Sequence, residues 1–213
     1  MFHFSGVYGV KCPKVPMLTC GFALPEVRIR EFGGCMEYID ELCRKKPKDN
    51  DMKTTVTFIC TGNVCRSSLA AALLEKMVRL AGLEDIEVNS MGTADIGSQP
   101  RDPIMVRLAA ARGYELTGTS THMTREALLD ADLILVITYT HLLEVQNQLP
   151  YYRWGRIRLF NDYCFGHDHP VEDPSYMPDA VYTKTFEHLE KGCRVIVEKL
   201  KEGLDVTPPV PMD

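Results

Sequence analysis

Five residues separate Cys60 from Arg66 in the segment CTGNVCRSS, and both side chains can do chemistry on an anion. A thiolate is a strong nucleophile, and a guanidinium donates two parallel hydrogen bonds to the oxygens of a phosphate. Between them, Gly62 and Asn63 tolerate sharp backbone angles, so the backbone N–H groups of the turn can point inward at an anion. This spacing predicts a loop that holds a phosphate group against the thiolate of Cys60.

The segments on either side of this loop are predicted to be a strand and a helix. TTVTFIC (54–60) is rich in β-branched residues, and the apolar pattern of 67–81 is that of an amphipathic helix. The positive end of the helix would favour both a bound anion and the thiolate form of Cys60, and Ser67 could donate its hydroxyl to the sulfur. The alternative is a buried structural Cys60 with Arg66 as a surface charge, because Cys-x5-Arg alone is a weak signal.

From residue 54 to residue 202, segments with strand patterns alternate with segments with helix patterns. The strands are predicted at 54–60, 86–91, 132–138 and 156–160, and the helices at 67–81, 102–113, 139–148 and 179–202, with a short one from Thr124. Apolar strands joined by helices are typical of a parallel sheet that is covered on both faces. We therefore expect an α/β fold, a three-layer α/β/α arrangement around a four-stranded parallel sheet, with the Cys-x5-Arg phosphate-binding loop after the first strand.

Composition and charge narrow the class of function. The chain has 213 residues and a net charge of -5, so it carries no overall basic field that would attract nucleic acid. No apolar run is long enough to span a bilayer, and Gly and Pro interrupt the N-terminus where a secretory signal would be continuous. The 8 cysteines are irregularly spaced and fit reduced thiols. We expect a cytoplasmic protein without a nucleic-acid or membrane partner.

A phosphate ester attacked by a cysteine also needs a carboxylic acid that protonates the leaving oxygen. The segment VEDPSYMPD (171–179) offers Asp173 in a proline-containing loop just before the last predicted helix. Glu172 and Asp179 are neighbouring carboxylates, and the pair Asp173–Pro174 on its own is better explained as a turn. With the cysteine loop in place Asp173 is a candidate general acid, but the residue pattern alone does not choose it over a turn.

The loop and the late Asp-Pro pair resemble the low-molecular-weight protein tyrosine phosphatase family over about residues 53–201. That family has a C-x-G-N-x-C-R-S loop near its N-terminus, which this chain supplies at 60–67, and a late Asp-Pro pair. Larger tyrosine phosphatases usually place a histidine before the nucleophile and the acid upstream of it, whereas here Ile59 precedes Cys60. The resemblance implies a phosphomonoester hydrolase, a protein-tyrosine phosphatase, that forms a cysteinyl-phosphate intermediate with a phosphorylated protein substrate. It also implies that the reaction uses no metal and no cofactor.

The resemblance implies a role for each residue of the site. Cys60 would be the nucleophile, Arg66 would bind the phosphate dianion, and Asp173 would protonate the leaving group and then activate water. Cys65 would protect Cys60 by trapping its sulfenic acid as a disulfide, the alternative being simple packing. The positions expected to contact substrate or phosphate are Thr61, Gly62, Asn63, Val64, Cys65, Ser67 and Tyr176.

Several positions depart from the family pattern and leave the substrate open. Gly118 stands where a histidine often supports the loop, Ser68 stands where proline is common, and Ser175–Tyr176 supplies one of two usual aromatic rings. Val64 modestly favours phosphotyrosine, because related protein-arginine phosphatases tend to carry threonine there. The alternatives are a protein-arginine phosphatase, an arsenate reductase on the same fold, and a non-catalytic phosphate-binding module.

Other polar side chains are given smaller roles. Ser90 is expected to hold the loop through Asn63, as in the family. His167 and His169 are interpreted as parts of a solvated loop, because no matching pair of metal ligands is near them in sequence. No metal site is therefore predicted.

The chain divides into three segments. Residues 1–52 lack the alternation of strands and helices and are predicted to be an N-terminal extension of unknown role, poorly ordered apart from an amphipathic stretch at 35–46. Residues 53–203 are predicted to be the low-molecular-weight phosphatase domain, and 204–213 a flexible C-terminal tail. The sequence does not indicate an oligomeric state.

Overall fold

The computed structural model of the protein describes residues 53–203. They form a sheet of four strands in the order β2-β1-β3-β4: β1 (Thr54–Cys60), β2 (Ile86–Gly92), β3 (Leu133–Val136) and β4 (Ile157–Leu159). Every neighbouring pair of strands is parallel, and the register pairs Cys60 with Gly92. The predicted N-terminal extension, its amphipathic stretch at 35–46 and the predicted C-terminal tail lie outside the described residues.

Helices join the strands and cover both faces of the sheet. They are α1 (Arg66–Leu80), α2 (Pro103–Ala111), α3 (Arg125–Asp130), α4 (Tyr139–Gln148), α5 (Phe160–Phe165) and α6 (Asp179–Glu202). Val56 and Phe58 of β1 pack with α1 and α6, whereas Ile134 and Val136 of β3 pack on the opposite face with α3 and α4. The predicted α/β class, the four-stranded parallel sheet and its three layers are confirmed. Within the described residues, no helix combines the length and apolarity needed to cross a membrane.

The chain around β4 differs from the sequence-based prediction. The apolar pattern of 156–160 predicts a strand, but the strand ends at Leu159 and Phe160 begins α5. Phe160 is fully buried against Gly192 of α6, where a Cβ atom would come within 2.2 Å of its ring. β4 is an edge strand that pairs only with β3, so few ladder hydrogen bonds oppose the turn of Phe160 into the core. A 3-10 helix over Tyr151–Arg156, which the sequence patterns do not predict, precedes β4.

Side-chain caps fix where the helices next to the sheet edge begin. Asp102 accepts hydrogen bonds from the N–H groups of Ile104 and Met105 at 2.9 and 3.0 Å, and Pro103 is the first residue of α2. Thr138 caps α4 and follows β3 closely. Because both caps are close to the ends of parallel strands, the connecting loops are held at the carboxyl edge of the sheet.

Candidate active site

The loops after β1, β2 and β3 meet at the carboxyl edge of the sheet, where parallel α/β sheets bind their ligands. Together with the segment that carries Asp173 they enclose a cavity of about 290 Å³. Its lining side chains are Thr61, Arg66, Thr93, Thr138, Thr140, His141, Glu144 and Asp173. The structure therefore brings three predicted site residues, Thr61, Arg66 and Asp173, into one cavity from distant parts of the chain.

The sulfur of Cys60 receives hydrogen bonds from the loop that follows it. The backbone N–H of Asn63 donates to Sγ at 3.3 Å, and the Ser67 hydroxyl oxygen lies 2.9 Å from Sγ. The loop can wrap around the sulfur because Asn63 adopts the left-handed φ of 55°, which asparagine tolerates better than most residues. The loop therefore places a backbone donor directly at the sulfur.

Asn63 is fully buried and uses its whole side-chain hydrogen-bonding capacity. Its Oδ1 accepts from the N–H of Thr121 at 2.9 Å, and because a backbone N–H can only donate, this contact fixes the orientation of the amide. Nδ2 then donates to Ser67 Oγ at 3.0 Å and to Ser90 Oγ at 2.9 Å, so the expected contact with Ser90 is present. Since Ser67 Oγ accepts from Asn63, its own hydrogen can point at the sulfur of Cys60.

Arg66 and Asp173 form an ion pair across the cavity. The guanidinium Nη2 donates to Asp173 Oδ2, and the two side chains are 7% and 48% exposed. Asp173 Oδ1 accepts from the N–H and the hydroxyl of Ser175 at 3.1 and 2.8 Å. Ser175 therefore holds the Asp173 carboxylate in place. There it pairs with the Arg66 guanidinium, the group that would bind a phosphate.

The start of α1 offers further donors to an anion. The helix begins at Arg66, directly after the loop, and no side chain caps its N-terminus at Cys65. Its first N–H groups and the positive end of its dipole are therefore available at the loop. Ser68 Oγ donates to the carbonyl oxygen of Cys65 at 3.0 Å, which accommodates serine where the family commonly has proline.

Cys65 is a buried thiol within the same loop. Burial raises its pKa well above the ordinary value, and the carboxylate of Asp102 adds to the effect. Burial likewise raises the pKa of Cys164 to about 12 and that of Cys193 well above the ordinary value, and all of these thiols are free. Cys164 and Cys193 are therefore neutral thiols at physiological pH and poor nucleophiles, whereas Cys65 has to give up its proton as it reacts.

Besides Cys60, Asn63, Cys65 and Ser67, which are buried, three predicted contact residues do not line the cavity: Gly62, Val64 and Tyr176. A Cβ atom at Gly62 would lie 3.0 Å from a methyl group of Val64, so the loop is tightly packed there. Tyr176 is fully exposed and has a left-handed φ of 64°. The contacts of these three residues with a substrate remain predictions.

The carboxylate before Asp173 belongs to a second cavity. Glu172 lines a space of about 300 Å³ together with His167, His169 and His188. The fold thus adds His188, from α6, to the two histidines that the sequence places in a solvated loop. Across residues 53–203, no group of three or more His, Cys, Asp or Glu side chains is arranged to hold a metal ion.

His141 is a cavity residue that the sequence analysis missed. Its Nε2 lies 2.9 Å from Thr61 Oγ1, and its Nδ1 lies 3.0 Å from Thr138 Oγ1. Burial, with the positive charge of Arg66 as a smaller cause, lowers the pKa of His141 to about 4. A neutral imidazole therefore ties the loop after β3 to the first residue of the phosphate-binding loop. Its only sequence signal is its place three residues after the helix cap Thr138.

The lowered pKa of His141 predicts a pH dependence of stability. Between about pH 6.5 and pH 4 the unfolded chain binds a proton on this residue that the folded chain does not, so the free energy of unfolding falls as the pH is lowered through this range. We expect this contribution to be about 3 kcal/mol, fully present above pH 6.5. Urea unfolding at pH 7 and pH 4.5 should show that His141→Gln is less destabilising at pH 4.5. The exposed change His122→Gln should leave the free energy of unfolding unchanged at both pH values. The same destabilisation by His141→Gln at both pH values would contradict the prediction.

Gly92, at the end of β2, is a second residue that sequence reasoning missed. A Cβ atom there would lie 2.6 Å from the carbonyl oxygen of Thr61 and 3.0 Å from the backbone nitrogen of Asn63. Both contacts are to backbone, so an added methyl group would have to push the phosphate-binding loop away from the strand. Gly92 therefore fixes the position of the loop through its lack of a side chain.

We expect Gly92→Ala to lower kcat/KM for an aryl phosphate by about 10- to 100-fold, because a displacement of under 1 Å misaligns the loop donors. Overpacking should also reduce the free energy of unfolding by about 1–3 kcal/mol. Gly82→Ala is the matched control, since Gly82 has a φ of 71° but no atom within 4 Å of its Cβ position. That variant should lose stability through backbone strain while keeping kcat/KM. A Gly92→Ala enzyme with full kcat/KM would refute the assignment.

Fold and site together define a class of protein. A three-layer α/β domain holds a cysteine at the end of its first strand, an arginine at the start of the next helix and an aspartate on a late loop, with the last two paired. The sequence model of the low molecular weight phosphotyrosine protein phosphatase family matches residues 55–206. The chain belongs to this family. The predicted family, and with it the class of cysteine-based protein phosphatases, is confirmed.

Relatives within the family carry more than one stated activity. The chain is 29% identical over 147 residues to the protein-arginine-phosphatase of Bacillus subtilis. The aligned region covers 69% of this chain and 97% of that protein. The chain is 27% identical over 153 residues to the low molecular weight phosphotyrosine protein phosphatase of Sus scrofa, covering 69% and 96%. A crystal structure of a protein tyrosine phosphatase from Entamoeba histolytica, with Hepes in the active site, matches at 25% identity and a TM-score of 0.67, covering 71% and 99%.

Proposed function

We propose that the protein removes phosphate from tyrosine residues of proteins through a cysteinyl-phosphate intermediate on Cys60, and that residues 53–203 are its catalytic domain. The observation that carries the proposal is the sulfur itself. Cys60 Sγ accepts a hydrogen bond from the N–H of Asn63 and lies 2.9 Å from Ser67 Oγ, at the start of the helix that carries Arg66. This arrangement suits a thiolate that faces a bound phosphate dianion.

In the first step Cys60 Sγ attacks phosphorus while the bond from phosphorus to the leaving oxygen breaks. Arg66 and the loop N–H groups bind the non-bridging oxygens, whose charge is redistributed in the transition state. The phosphate displaces Asp173 from Arg66, and Asp173 reacts in its protonated form, having taken a proton from solvent. It gives this proton to the leaving oxygen, so tyrosine departs as a neutral phenol. The products are the free phenol and a phosphate bound to the sulfur.

In the second step Asp173, now a carboxylate, removes a proton from a water molecule that attacks the phosphorus. The sulfur–phosphorus bond breaks and its electron pair returns to Cys60. The Ser67 hydroxyl, whose oxygen accepts a hydrogen bond from Asn63 Nδ2 at 3.0 Å, donates a hydrogen bond to the departing thiolate. Inorganic phosphate leaves and both catalytic groups return to their starting states.

Phosphoarginine is the second candidate substrate, because the cavity contains an unpaired carboxylate. Glu144 lines the cavity, its Oε2 is buried without a hydrogen-bond partner, and within residues 53–203 it belongs to no ion pair. A negative charge beside a dianion is unfavourable unless the substrate brings a positive group. The guanidinium of phosphoarginine is such a group, and among residues 53–203 no Phe, Tyr or Trp side chain lines the cavity to contact a tyrosine ring.

The two candidates are separated by comparing kcat/KM for phosphotyrosine and phosphoarginine peptides of the same sequence. A tyrosine phosphatase should prefer the first, and Val64→Thr should move the preference toward phosphoarginine. If phosphoarginine is the substrate, Glu144→Gln should lower kcat/KM for that peptide by about tenfold and raise it for phosphotyrosine. Glu126→Gln, an exposed change in α3, should alter neither. Failure of the wild-type protein to hydrolyse either peptide or a chromogenic aryl phosphate would refute the proposed function.

Cys65 is proposed to protect the nucleophile against oxidation. Peroxide converts Cys60 to a sulfenic acid, and the thiol of Cys65 can displace its hydroxyl as water, forming a Cys60–Cys65 disulfide. Wild-type enzyme inactivated by peroxide should therefore recover with dithiothreitol, whereas Cys65→Ser should stay inactive because Cys60 is oxidised further. Cys164→Ala is the control and should recover like the wild type. Equal recovery of Cys65→Ser would leave Cys65 with a packing role.

We further propose a cytoplasmic protein that acts on phosphorylated proteins without a metal or cofactor and without a nucleic-acid or membrane partner. The support is a net charge of -5, the free cysteines within 53–203, and a site whose own side chains supply nucleophile, acid and phosphate ligand. Full hydrolysis of an aryl phosphate after dialysis against EDTA would support the metal-free reaction, and its loss would contradict it.

A further inference from the structure

We propose that Arg101 is a positioning residue of the phosphate-binding loop, which locks Asn63 in its left-handed conformation and keeps a positive charge behind the sulfur of Cys60. The inference rests on the proposed function of this loop. Arg101 lies in the segment between β2 and α2, outside the loop and the acid segment, and no motif in the sequence assigns it a role.

The guanidinium of Arg101 forms hydrogen bonds with two atoms of Asn63. Its Nη1 donates to the carbonyl oxygen of Asn63 and, at 3.0 Å, to the side-chain Oδ1. Its Nε donates to the carbonyl oxygen of Thr117 at 3.0 Å. Because the guanidinium is planar, the contact with Thr117 also fixes the plane in which the other nitrogens meet Asn63.

The contact with the carbonyl oxygen controls which way the next backbone N–H points. In a trans peptide the C=O of one residue and the N–H of the next point in opposite directions. No cis peptide bond occurs in the described residues, so a carbonyl of Asn63 that is held outward by Arg101 turns the N–H of Val64 inward. Arg101 thereby orients the backbone N–H of Val64 without contacting it.

The charge of Arg101 is not neutralised by a carboxylate within residues 53–203, where none of the ion pairs includes it. Burial lowers the pKa of Arg101, and the charge of Cys60 opposes that effect. Other charged or titratable groups near the loop are Arg66 at the start of α1, Asp173 paired with it, Cys65 within the loop and Asp102 at the cap of α2. From α4, His141 contacts Thr61 and Glu144 lines the cavity. Arg101 is thus a second positive charge beside the loop, on the residue whose N–H donates to the sulfur, and unlike Arg66 it forms no ion pair with Asp173.

The space that Arg101 occupies is left open by Gly118. A Cβ atom at Gly118 would lie 3.8 Å from Arg101 Nη2, and the φ of 78° at this residue is one that glycine adopts without strain. Gly118 is the position at which the family often has a histidine behind the loop. In this chain a guanidinium from another segment reaches Asn63 instead.

The test is the pH dependence of alkylation of Cys60, followed by mass spectrometry of the peptide that contains it. Arg101→Met and Arg101→Gln remove the charge, the second keeping an amide NH2 donor. Arg101→Lys keeps the charge but loses the planar, multiple hydrogen bonding of the guanidinium. Arg125→Met is the matched control, because Arg125 also donates to a backbone carbonyl, that of Gln148, away from the loop. Each variant is treated with neutral iodoacetamide and with anionic iodoacetate.

Both neutral variants should move the midpoint of the alkylation profile to higher pH by about one unit, because a lost positive charge disfavours the thiolate. They should also react more slowly with iodoacetate relative to iodoacetamide. Arg101→Lys should restore the midpoint but keep a lowered kcat, and Arg125→Met should match the wild type throughout. If Arg101→Met does not fold, the alkylation midpoint of Arg101→Gln is compared with that of the wild type. Neutral variants that lose thermal stability but keep the wild-type midpoint would overturn the proposal, whether or not the wild-type protein hydrolyses a phosphate ester.

Discussion

Replacing Cys60 with serine is expected to reduce hydrolysis of a chromogenic aryl phosphate by about 10⁴-fold or more while the protein stays folded. A serine hydroxyl is a far weaker nucleophile than a thiolate at neutral pH, and the hydrogen-bond partners of this side chain are the Ser67 hydroxyl and the N–H of Asn63, neither of which is a base at that pH. The hydroxyl accepts the same hydrogen bonds as the sulfur, so the free energy of unfolding should change by no more than about 1 kcal/mol.

Binding of inorganic phosphate separates the loss of the nucleophile from a loss of the site. The Cys60→Ser protein should bind phosphate at least as tightly as the wild type in isothermal titration calorimetry, because Arg66 and the loop amides are unchanged and a negative charge is removed. Cys164→Ala, which removes a buried thiol far from the loop, is the control and should keep its turnover. A serine variant that retains more than about a tenth of the wild-type rate would rule out the cysteinyl-phosphate mechanism.

The phosphate-binding loop was predictable from the sequence because its chemistry is local. Cys60, Asn63 and Arg66 lie within seven residues of one another, and the strand and helix that flank them have strong apolar periodicity. The parallel sheet followed from the same periodicity in later segments. Its three layers required no information beyond which residues are apolar and how they are spaced.

The local sequence pattern did not identify Asp173 as the general acid. Its carboxylate meets Arg66 across 107 positions of the chain, and an Asp-Pro pair in a loop is by itself an ordinary turn signal. The family resemblance, and not the residue pattern, singled it out from Glu172 and Asp179. The structure separates the three carboxylates, because Glu172 lines the histidine cavity and Asp179 pairs with Arg107 at 3.6 Å.

Gly92, Arg101 and His141 were not predictable, because each acts on the loop from a different segment and carries no motif. Gly92 matters through an absent side chain, which only the 2.6 Å approach to the carbonyl of Thr61 reveals. His141 reaches the loop through one contact with Thr61, and Arg101 reaches it through two hydrogen bonds to Asn63. Such contacts depend on how strands of a parallel sheet are brought side by side, which periodicity alone does not specify.

Replacing Asp173 with asparagine is expected to lower kcat by about 10²- to 10⁴-fold and to strengthen the binding of inorganic phosphate by about three- to tenfold. The rate falls because an amide cannot protonate the leaving oxygen or deprotonate water. The affinity rises because Asp173 Oδ2 accepts a hydrogen bond from Arg66 Nη2, so a phosphate has to displace a carboxylate before it gains the guanidinium. Half of the Asp173 side chain is exposed to solvent, which limits the gain in affinity.

The loss of rate should depend on the leaving group. A good leaving group such as nitrophenolate departs without a proton, whereas phenolate and tyrosine need one, so Asp173→Asn should slow phenyl phosphate more than nitrophenyl phosphate. Competition by inorganic phosphate against the same substrates gives the affinity. Asp179→Asn and Glu172→Gln remove neighbouring carboxylates that do not contact Arg66 and should change neither quantity. Equal slowing of both aryl phosphates, or weaker phosphate binding, would show that Asp173 supports Arg66 without serving as the acid.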